Sequence, residues 1–297
     1  MESLIVNRNC DRIDTYLAQE LDVSRSKVAK MLKDGSILLN GSNVKASSEV
    51  KEADVISYEI IEDKMDVEPE NILLDIVYED DDVIVVNKAN GMVVHPAVGN
   101  RCGTLVNALM YHSKSLSKIN GEFRPGIVHR IDAYTTGLLM VAKNDKAHEF
   151  LAKQLQDKTI TRKYIALVWG VIKEDTGEIN APIMRDKSDR KKMAVGAVNS
   201  KDAITHFTVL ERYKNATLVE LKLETGRTHQ IRVHMNYINH PVVNDPVYGR
   251  RKIIDDTGQC LHAKTIGFIH PTTKKYMEFS SKLPDCFINI LNKFKEE

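Results

Sequence analysis

Paired cysteines are missing from this chain. Cys10, Cys102, Cys260 and Cys286 are scattered, with no Cys-x-x-Cys pair and no zinc-type grouping with histidine. Neither a disulfide framework nor a metal site is therefore indicated, so the thiols are read as reduced, mostly packing residues. Long apolar runs are also missing. Nothing approaches the ~18 uninterrupted apolar residues of a membrane span, and the N-terminus has no apolar signal-peptide region. A cytoplasmic protein without a membrane partner is expected. A charge excess of one sign is absent too, since the formal net charge is +1. That balance hides an uneven distribution: residues 62–82 are strongly acidic, whereas 27–33 and 185–192 are locally basic. Neutrality overall does not exclude a nucleic-acid partner, which would be met by such patches.

With 297 residues the chain exceeds a usual single domain, so two domains are expected, one of them large. Asp11 reads as an N-cap for a helix whose Ile13, Leu17 and Leu21 form one apolar stripe. Ser24 opens a second helix with Val28, Met31 and Leu32 on its apolar face, and Gly35 ends it. A strand from Ile37 then meets an Asn40-Gly41 hairpin, and Val55–Ile61 reads as a further strand. The acidic segment 63–72, with Pro69 and little apolar periodicity, is the expected linker, exposed and mobile. It separates residues 1–62 from one large domain, 73–297, which shows no clear repeat or low-complexity tract.

The small module resembles the S4 RNA-binding domain through Arg12-Ile-Asp-Thr-Tyr-Leu, Ser24-Arg25-Ser26 and Asn40-Gly41-x-x-Val44-Lys45. Lys27, Lys30 and Lys33 recur every three residues opposite the apolar stripe of the second helix, behind Ser24, Arg25 and Ser26 at its start. A solvated cationic face is the bland reading. Lysines, arginine, serines and a helix N-terminus also suit backbone phosphates, and the matching module favours RNA binding by these residues.

In the large domain, Ile127-Val128 and Leu138–Ala142 read as buried strands, and the polar residues between them as a connection at a sheet end. That connection carries Arg130-Ile131-Asp132 and then Thr135-Thr136-Gly137. Alone, Asp132 could merely organise a turn. The whole run from Arg124 to Lys143, however, resembles the central motif of the RluA/RluD family of RNA pseudouridine synthases, whose acid is the catalytic carboxylate, here Asp132. Ala133 and Tyr134 depart from the commonest pattern, which touches substrate preference more than chemistry. A second run, Gly226-Arg227-Thr228-His229-Gln230-Ile231-Arg232-Val-His234, matches the family without a mismatch and reads as a glycine turn and helix start with Thr228 as N-cap. The spacing of His229 and His234 is wrong for one helical face, so no metal is expected.

The resemblance implies that Arg227 pairs with Asp132, keeping it ionised and oriented. It also implies that Tyr164, in the strand around Lys163-Tyr164-Ile-Ala166, lies beside the target base, where it stacks and is placed to assist proton transfer at C5. Periodicity alone puts Tyr164, Ala166 and Val168 on one strand face. Lys88 and His95, around a glycine turn with a second short strand, fit RNA contact and structural turn roles equally. Arg190, Lys191 and Lys192 belong to a basic loop resembling one that closes over RNA, and Arg130 is suited to fill the stack left by a flipped base.

The expectation is an α+β chain: an S4 (αL-like) domain, then a synthase domain with a long mixed, mainly antiparallel sheet flanked by helices. It would isomerise uridine to pseudouridine in structured RNA, ribosomal RNA of the large subunit before tRNA, as a monomer with no cofactor. Attack of Asp132 on C1′, addition to C6 and removal of the C2′ proton all fit, and each needs an ionised carboxylate. A non-catalytic RNA-binding or ribosome-assembly factor is the rival, which loss of Asp132 or Arg227 would have favoured.

Overall fold

The computed structural model describes residues 2–21, 23–59, 67–97, 100–119, 121, 124–189, 191–249 and 253–296. The chain divides into two compact units, Met1–Met65 and Asp66–Glu297. The first contains β1 (Glu2–Ile5), α1 (Ile13–Glu20), α2 (Arg25–Lys33), β2 (Ile37–Leu39) and β3 (Val55–Tyr58), with strand order β1-β3-β2. Tyr16, Ile13, Leu17, Val28, Ile37 and Ile56 form its core. Strand β1, antiparallel to β3, has no counterpart among the sequence expectations.

Helix α1 starts without a side-chain cap, and Arg12 rather than Asp11 occupies the N-cap position. The N–H groups of Ile13 and Asp14 instead donate to the carbonyls of Ser48 and Ala46 at 2.7 and 3.2 Å. A neighbouring segment thus satisfies donors that a cap would otherwise take. Helix α2 begins as expected, with Ser24 accepting from the Lys27 N–H. Asn40 and Gly41 are both left-handed, at φ 49° and 76°, as a tight hairpin turn of this hand requires. Residues 60 and 61 of the expected last strand lie outside the described residues.

The second unit is built on a long sheet of β4 (Asp75–Glu79), β5 (Val83–Lys88), β6 (Thr136–Ala142), β7 (Thr161–Trp169), β8 (Thr176–Asn180), β11 (Ile204–Arg212), β12 (Ala216–Leu223), β13 (Leu261–Ile269) and β14 (Tyr276–Ser280). The order is β4-β5-β6-β13-β7-β12-β11-β8, with β14 beside β13. Among the described residues only the β6–β13 pairing is parallel, so the sheet is mixed but mainly antiparallel, as expected. A two-stranded hairpin of β9 (Ile183–Arg185) and β10 (Met193–Val195) stands apart from it. The helices are α3 (Leu105–His112), α4 (Asp145–Gln156), α5 (Gln230–Tyr237) and α6 (Asp285–Lys295).

Strand β5 is buried on both faces. Ile84 and Val86 face the main core, whereas Val83 and Val85 join Ala147 and Leu151 of α4. Next to it, β6 is wholly buried. At the β6–β13 junction Gly137 has φ 106°, and a Cβ there would collide with the Ala263 carbonyl. Only glycine allows that approach. Helix α6 places Phe287, Ile290, Leu291 and Phe294 against the main core, where Phe294 meets Trp169 edge-on at 5.3 Å between centroids.

Two expectations fail locally. Ile127 makes a single bridge to Val141 rather than starting a strand, and no strand follows the Gly91 turn among the described residues. Residues 63–66 of the expected linker lie outside the described residues, but 67–72 belong to the second unit. There the Glu68 carbonyl accepts from Asn107 Nδ2 at 2.7 Å, and the Glu70 N–H donates to the Asn107 carbonyl at 3.0 Å. This stretch is tied to α3 rather than left as a free tether. No described helix is long and apolar enough to cross a membrane.

Candidate active site

The loop entering β6 carries Asp132, and several contacts fix its path. The Asp132 carbonyl accepts from the Thr135 N–H at 3.1 Å. Lys88, only 1% exposed at the end of β5, donates from Nζ to the carbonyls of Ala133, Ala89 and Met92 at 2.7, 2.8 and 2.8 Å. Burial pushes the Lys88 ammonium down to about 7, against the opposing pull of Asp132. Three carbonyl acceptors match the three ammonium protons, so the charged form is the one the fold holds. Of the two roles open to Lys88, the structure supports the turn role. Below the loop, Gln259 Nε2 donates to Thr135 Oγ1 at 3.1 Å, and Thr136 Oγ1 is hydrogen-bonded to His262 Nδ1 at 2.7 Å. His129 Nε2 accepts from the Met140 N–H, and burial pushes the imidazole down to about 3, so it is neutral.

The Asp132 carboxylate opens onto a cleft of about 350 Å³ lined also by Arg130, Arg162, Tyr164, Arg227 and His229. Its guanidinium partner is Arg232 on α5, with Nη1 2.8 Å from Oδ2. This corrects the expected pairing with Arg227, whose Nε donates instead to the Asp202 carbonyl at 2.9 Å. The turn explains the difference. Thr228 is not the N-cap; His229 is, in a left-handed conformation at φ 56° and without a side-chain capping bond. Gln230 then locks the turn, its Oε1 accepting from the Arg227 N–H and Thr225 Oγ1. The helix start is thereby set so that Arg232 reaches Asp132.

Arg232 also makes a two-pronged pair with the fully buried Asp245, Nε to Oδ2 at 2.7 Å and Nη2 to Oδ1 at 2.9 Å. Burial disfavours charge on Arg232, but the hydrogen bonds and fields of Asp245 and Asp132 outweigh it and hold the guanidinium above its ordinary value. Asp245 is held below its ordinary value despite burial, by Arg232 and by the N–H groups of Val247 and Tyr248. A fixed cation thus keeps Asp132 oriented. His229 Nε2 lies 3.7 Å from Asp132 Oδ1, its Nδ1 is hydrogen-bonded to the Tyr248 hydroxyl at 2.8 Å, and burial lowers its pKa. His234, in contrast, is buried between Thr205 Oγ1 and the Ala181 carbonyl. Among the described residues no three His, Cys, Asp or Glu side chains cluster as metal ligands.

Tyr164 on β7 is 7% exposed, and burial raises its hydroxyl pKa, so it presents a protonated phenol to the cleft. Arg130 is exposed at the cleft. The β9–β10 loop is folded on Asp186, which accepts from Ser188 and Asp189, and it exposes Lys191 with Lys192 beside it; Arg190 lies outside the described residues. The Met193 N–H donates to the Tyr248 hydroxyl at 2.8 Å, linking this hairpin to His229 and so to the Asp132 surroundings. Ser24, Arg25, Ser26, Lys27, Lys30 and Lys33 belong to the other unit, where Arg25 shares Asp14 with Arg12 at 3.0 and 2.9 Å. Sequence reading assigned no site role to Arg232, Asp245 or Arg162. Arg232 stands in the same matched run as Arg227, and Asp245 in the segment 240–249, which resembles the family but reads as structural.

A family model described as RNA pseudouridylate synthase matches residues 82–237, and an S4 domain model matches residues 11–56. The chain is 54% identical over 288 residues to an uncharacterized RNA pseudouridine synthase, YlyB, of Bacillus subtilis, covering 96% of this chain and 95% of that protein. It is 40% identical to the ribosomal large subunit pseudouridine synthase D of Pseudomonas aeruginosa, over 96% of this chain and 92% of that one. Among solved structures, the human RNA pseudouridylate synthase domain containing 1 aligns with a TM-score of 0.59 and 26% identity, over 77% of this chain and 97% of that chain. Motifs, fold and relatives agree, and the chain belongs to the RNA pseudouridine synthase family of isomerases, with an S4 domain ahead of the synthase domain.

Proposed function

We propose that this enzyme converts uridine to pseudouridine in large-subunit ribosomal RNA, with Asp132 as the catalytic carboxylate. The observation that carries the reading is a carboxylate 19% exposed to a cleft and held at 2.8 Å by a buried guanidinium that a second carboxylate fixes from behind. Such an arrangement presents a negative charge to a ribose without letting it rotate away. Inversion of a glycoside would ask for two opposed carboxylates, whereas here the second acid, Asp245, is wholly buried behind Arg232. The relatives named for the ribosomal large subunit support the choice of RNA.

The reaction leaves composition unchanged. Uracil detaches from C1′, turns and rejoins through C5, with water kept out so that free base is not lost. The target nucleotide leaves its stack to enter the cleft. There Tyr164 supports the ring and its neutral hydroxyl is in place to relay a proton, while Arg130 occupies the vacated stack. Lys88 fixes the backbone around Asp132, and Lys191, Lys192 and Arg227 contribute positive charge along the approach.

The test is a pseudouridine map of RNA from cells lacking the protein, complemented with wild type or Asp132→Asn. One or more large-subunit ribosomal RNA sites should be lost, be restored by wild type and stay unmodified with Asp132→Asn. In vitro that variant should lose at least about 10³-fold in single-turnover rate, more than about 4 kcal/mol of barrier, while RNA affinity stays nearly intact. Appreciable turnover by Asp132→Asn would sink the catalytic assignment. Missing sites confined to tRNA would move the substrate there.

A further inference from the structure

We propose that Arg162 binds the detached uracil and stabilises its negative charge, a role that rests on the reaction proposed above. Arg162 lies on β7 two residues before Tyr164, so the side chains share a strand face, and both line the cleft with Asp132. It is 7% exposed, yet among the described residues no carboxylate lies within ion-pairing distance. Among the described residues its buried Nε has no hydrogen-bond partner, and Nη2 reaches only the Glu224 carbonyl, at 3.4 Å. Space for the guanidinium is kept by Gly226, where a Cβ would come within 2.6 Å of Nη1.

The contrast with Arg232 is informative. Both arginines are buried to a similar degree, but Arg232 is flanked by two acids whereas Arg162 has none among the described residues. A buried cation with an open donor is costly unless an anion arrives. A nucleotide extruded into a pocket is read there through its base, so the base is the group assigned to the cleft wall.

The chemistry supplies an anion there. The C1′–N1 bond breaks with its electron pair passing to N1, and the charge spreads into the C2 and C4 carbonyl oxygens. The same uracil anion then uses its C5 carbon to form the C5–C1′ bond, and the proton displaced from C5 ends on N1. Whether Asp132 attacks C1′ or removes the C2′ proton, the charge on the free base must be held between the two bond changes. A guanidinium presents planar donors to a carbonyl oxygen in the ring plane, and such stabilisation is strongest where water is excluded.

The test uses the full-length enzyme and total RNA from cells lacking it that were fed [5-³H]uracil, with tritium release as the readout. Arg162→Ala should cut the single-turnover rate by roughly 10²–10³-fold while changing the RNA dissociation constant by less than about threefold. Guanidinium chloride at tens of millimolar should recover part of the rate, and matched sodium chloride should not. A rate unchanged, affinity and rate falling together, or no specific rescue would overturn the proposal. If Arg162→Ala fails to fold, Arg162→Gln, which keeps length and donors without charge, decides. A folded Gln variant with normal turnover, or failure of both to fold, also overturns it. Asp132→Asn separates this inference from the reading beneath it. An active wild type with an inactive Asp132→Asn and a fully active Arg162→Ala would remove only the role of Arg162, whereas no release by wild type removes both.

Discussion

The two units use the same kinds of ion in opposite arrangements. In the S4 unit one buried acid, Asp14, is held by two half-exposed arginines, Arg12 and Arg25. In the synthase unit one buried arginine, Arg232, is held between two acids, of which Asp245 is fully buried and Asp132 faces the cleft. The first arrangement ties α1 to α2 and keeps cations at the surface. The second spends a buried cation on fixing a reactive carboxylate, with a second carboxylate that balances the charge. The difference teaches that a buried charge marks chemistry where it, or one of its partners, opens onto a cavity.

Breaking the buried arginine should have the largest effect. Arg232→Ala would leave Asp245 buried with only backbone donors, and loss of one partner of a buried pair costs about 3–5 kcal/mol. Turnover should fall as well, because no guanidinium then orients Asp132. Arg227→Ala is the matched control: its guanidinium meets only the Asp202 carbonyl among the described residues, so stability should change by no more than about 0.5 kcal/mol. Chemical unfolding of the full chain can be followed at Trp169, the single tryptophan, which packs on Phe294 of the synthase unit. Equal losses from the two variants would return Asp132's support to Arg227.

In the S4 unit the effect should be smaller and show itself through pH. Asp14 is held well below the usual carboxylate range, first by the hydrogen bond from Arg12 and then by Arg25, against the opposing effect of burial. The unfolded value is about 3.9, so the contribution is fully present above that pH and is lost as pH falls through it toward the lower folded value. Hydrogen bonds to charged groups contribute about 1.5–3 kcal/mol. Exposure of both arginines brings the expectation for Asp14→Asn toward about 1 kcal/mol. Amide exchange of α1 and α2 in the full chain should be faster in Asp14→Asn at neutral pH, and the gap to wild type should close as pH falls below about 4. A gap that persists in acid would assign the loss to packing rather than charge.

Much of this comparison could be read along the chain, for a physical reason. Elements whose signal is local were legible: the Ser24 cap, the Asn40-Gly41 turn, the apolar run of β6 behind Asp132, and the mixed, mainly antiparallel sheet that the motifs imply. Elements set by tertiary contact were not. Asp11 lost its capping role because Ser48 and Ala46 supply the acceptors, and the 67–72 stretch is held by Asn107. Asp132 and Arg232 are 100 residues apart, and which arginine of the matched run reaches the acid depends on the left-handed His229, a conformation no residue pattern announces. The α6 face was legible in principle, since Phe287, Ile290, Leu291 and Phe294 follow helical spacing.

The smallest expected effect concerns the surface cations that the S4 arrangement leaves outside. On α2, Val28, Met31 and Leu32 are buried, while Lys30 and Lys33 are exposed and Lys27 is half-buried at the first turn. None of the three is needed for the core, so replacing them with glutamine should leave unfolding within about 0.5 kcal/mol of wild type. If they neutralise RNA phosphates, each phosphate left without its lysine should reduce the slope of log K against log salt by about 0.9 on duplex or about 0.7 on single strands. Three single variants and the triple variant, titrated on the same ribosomal RNA fragment from low to moderate salt, measure that slope directly. A triple variant with a flatter slope and unchanged single-turnover rate at saturating RNA would separate affinity in the S4 unit from chemistry at Asp132. An unchanged slope would make the lysines a solvated face, and a slope that flattens together with the chemical rate would mean that the two units do not divide the work.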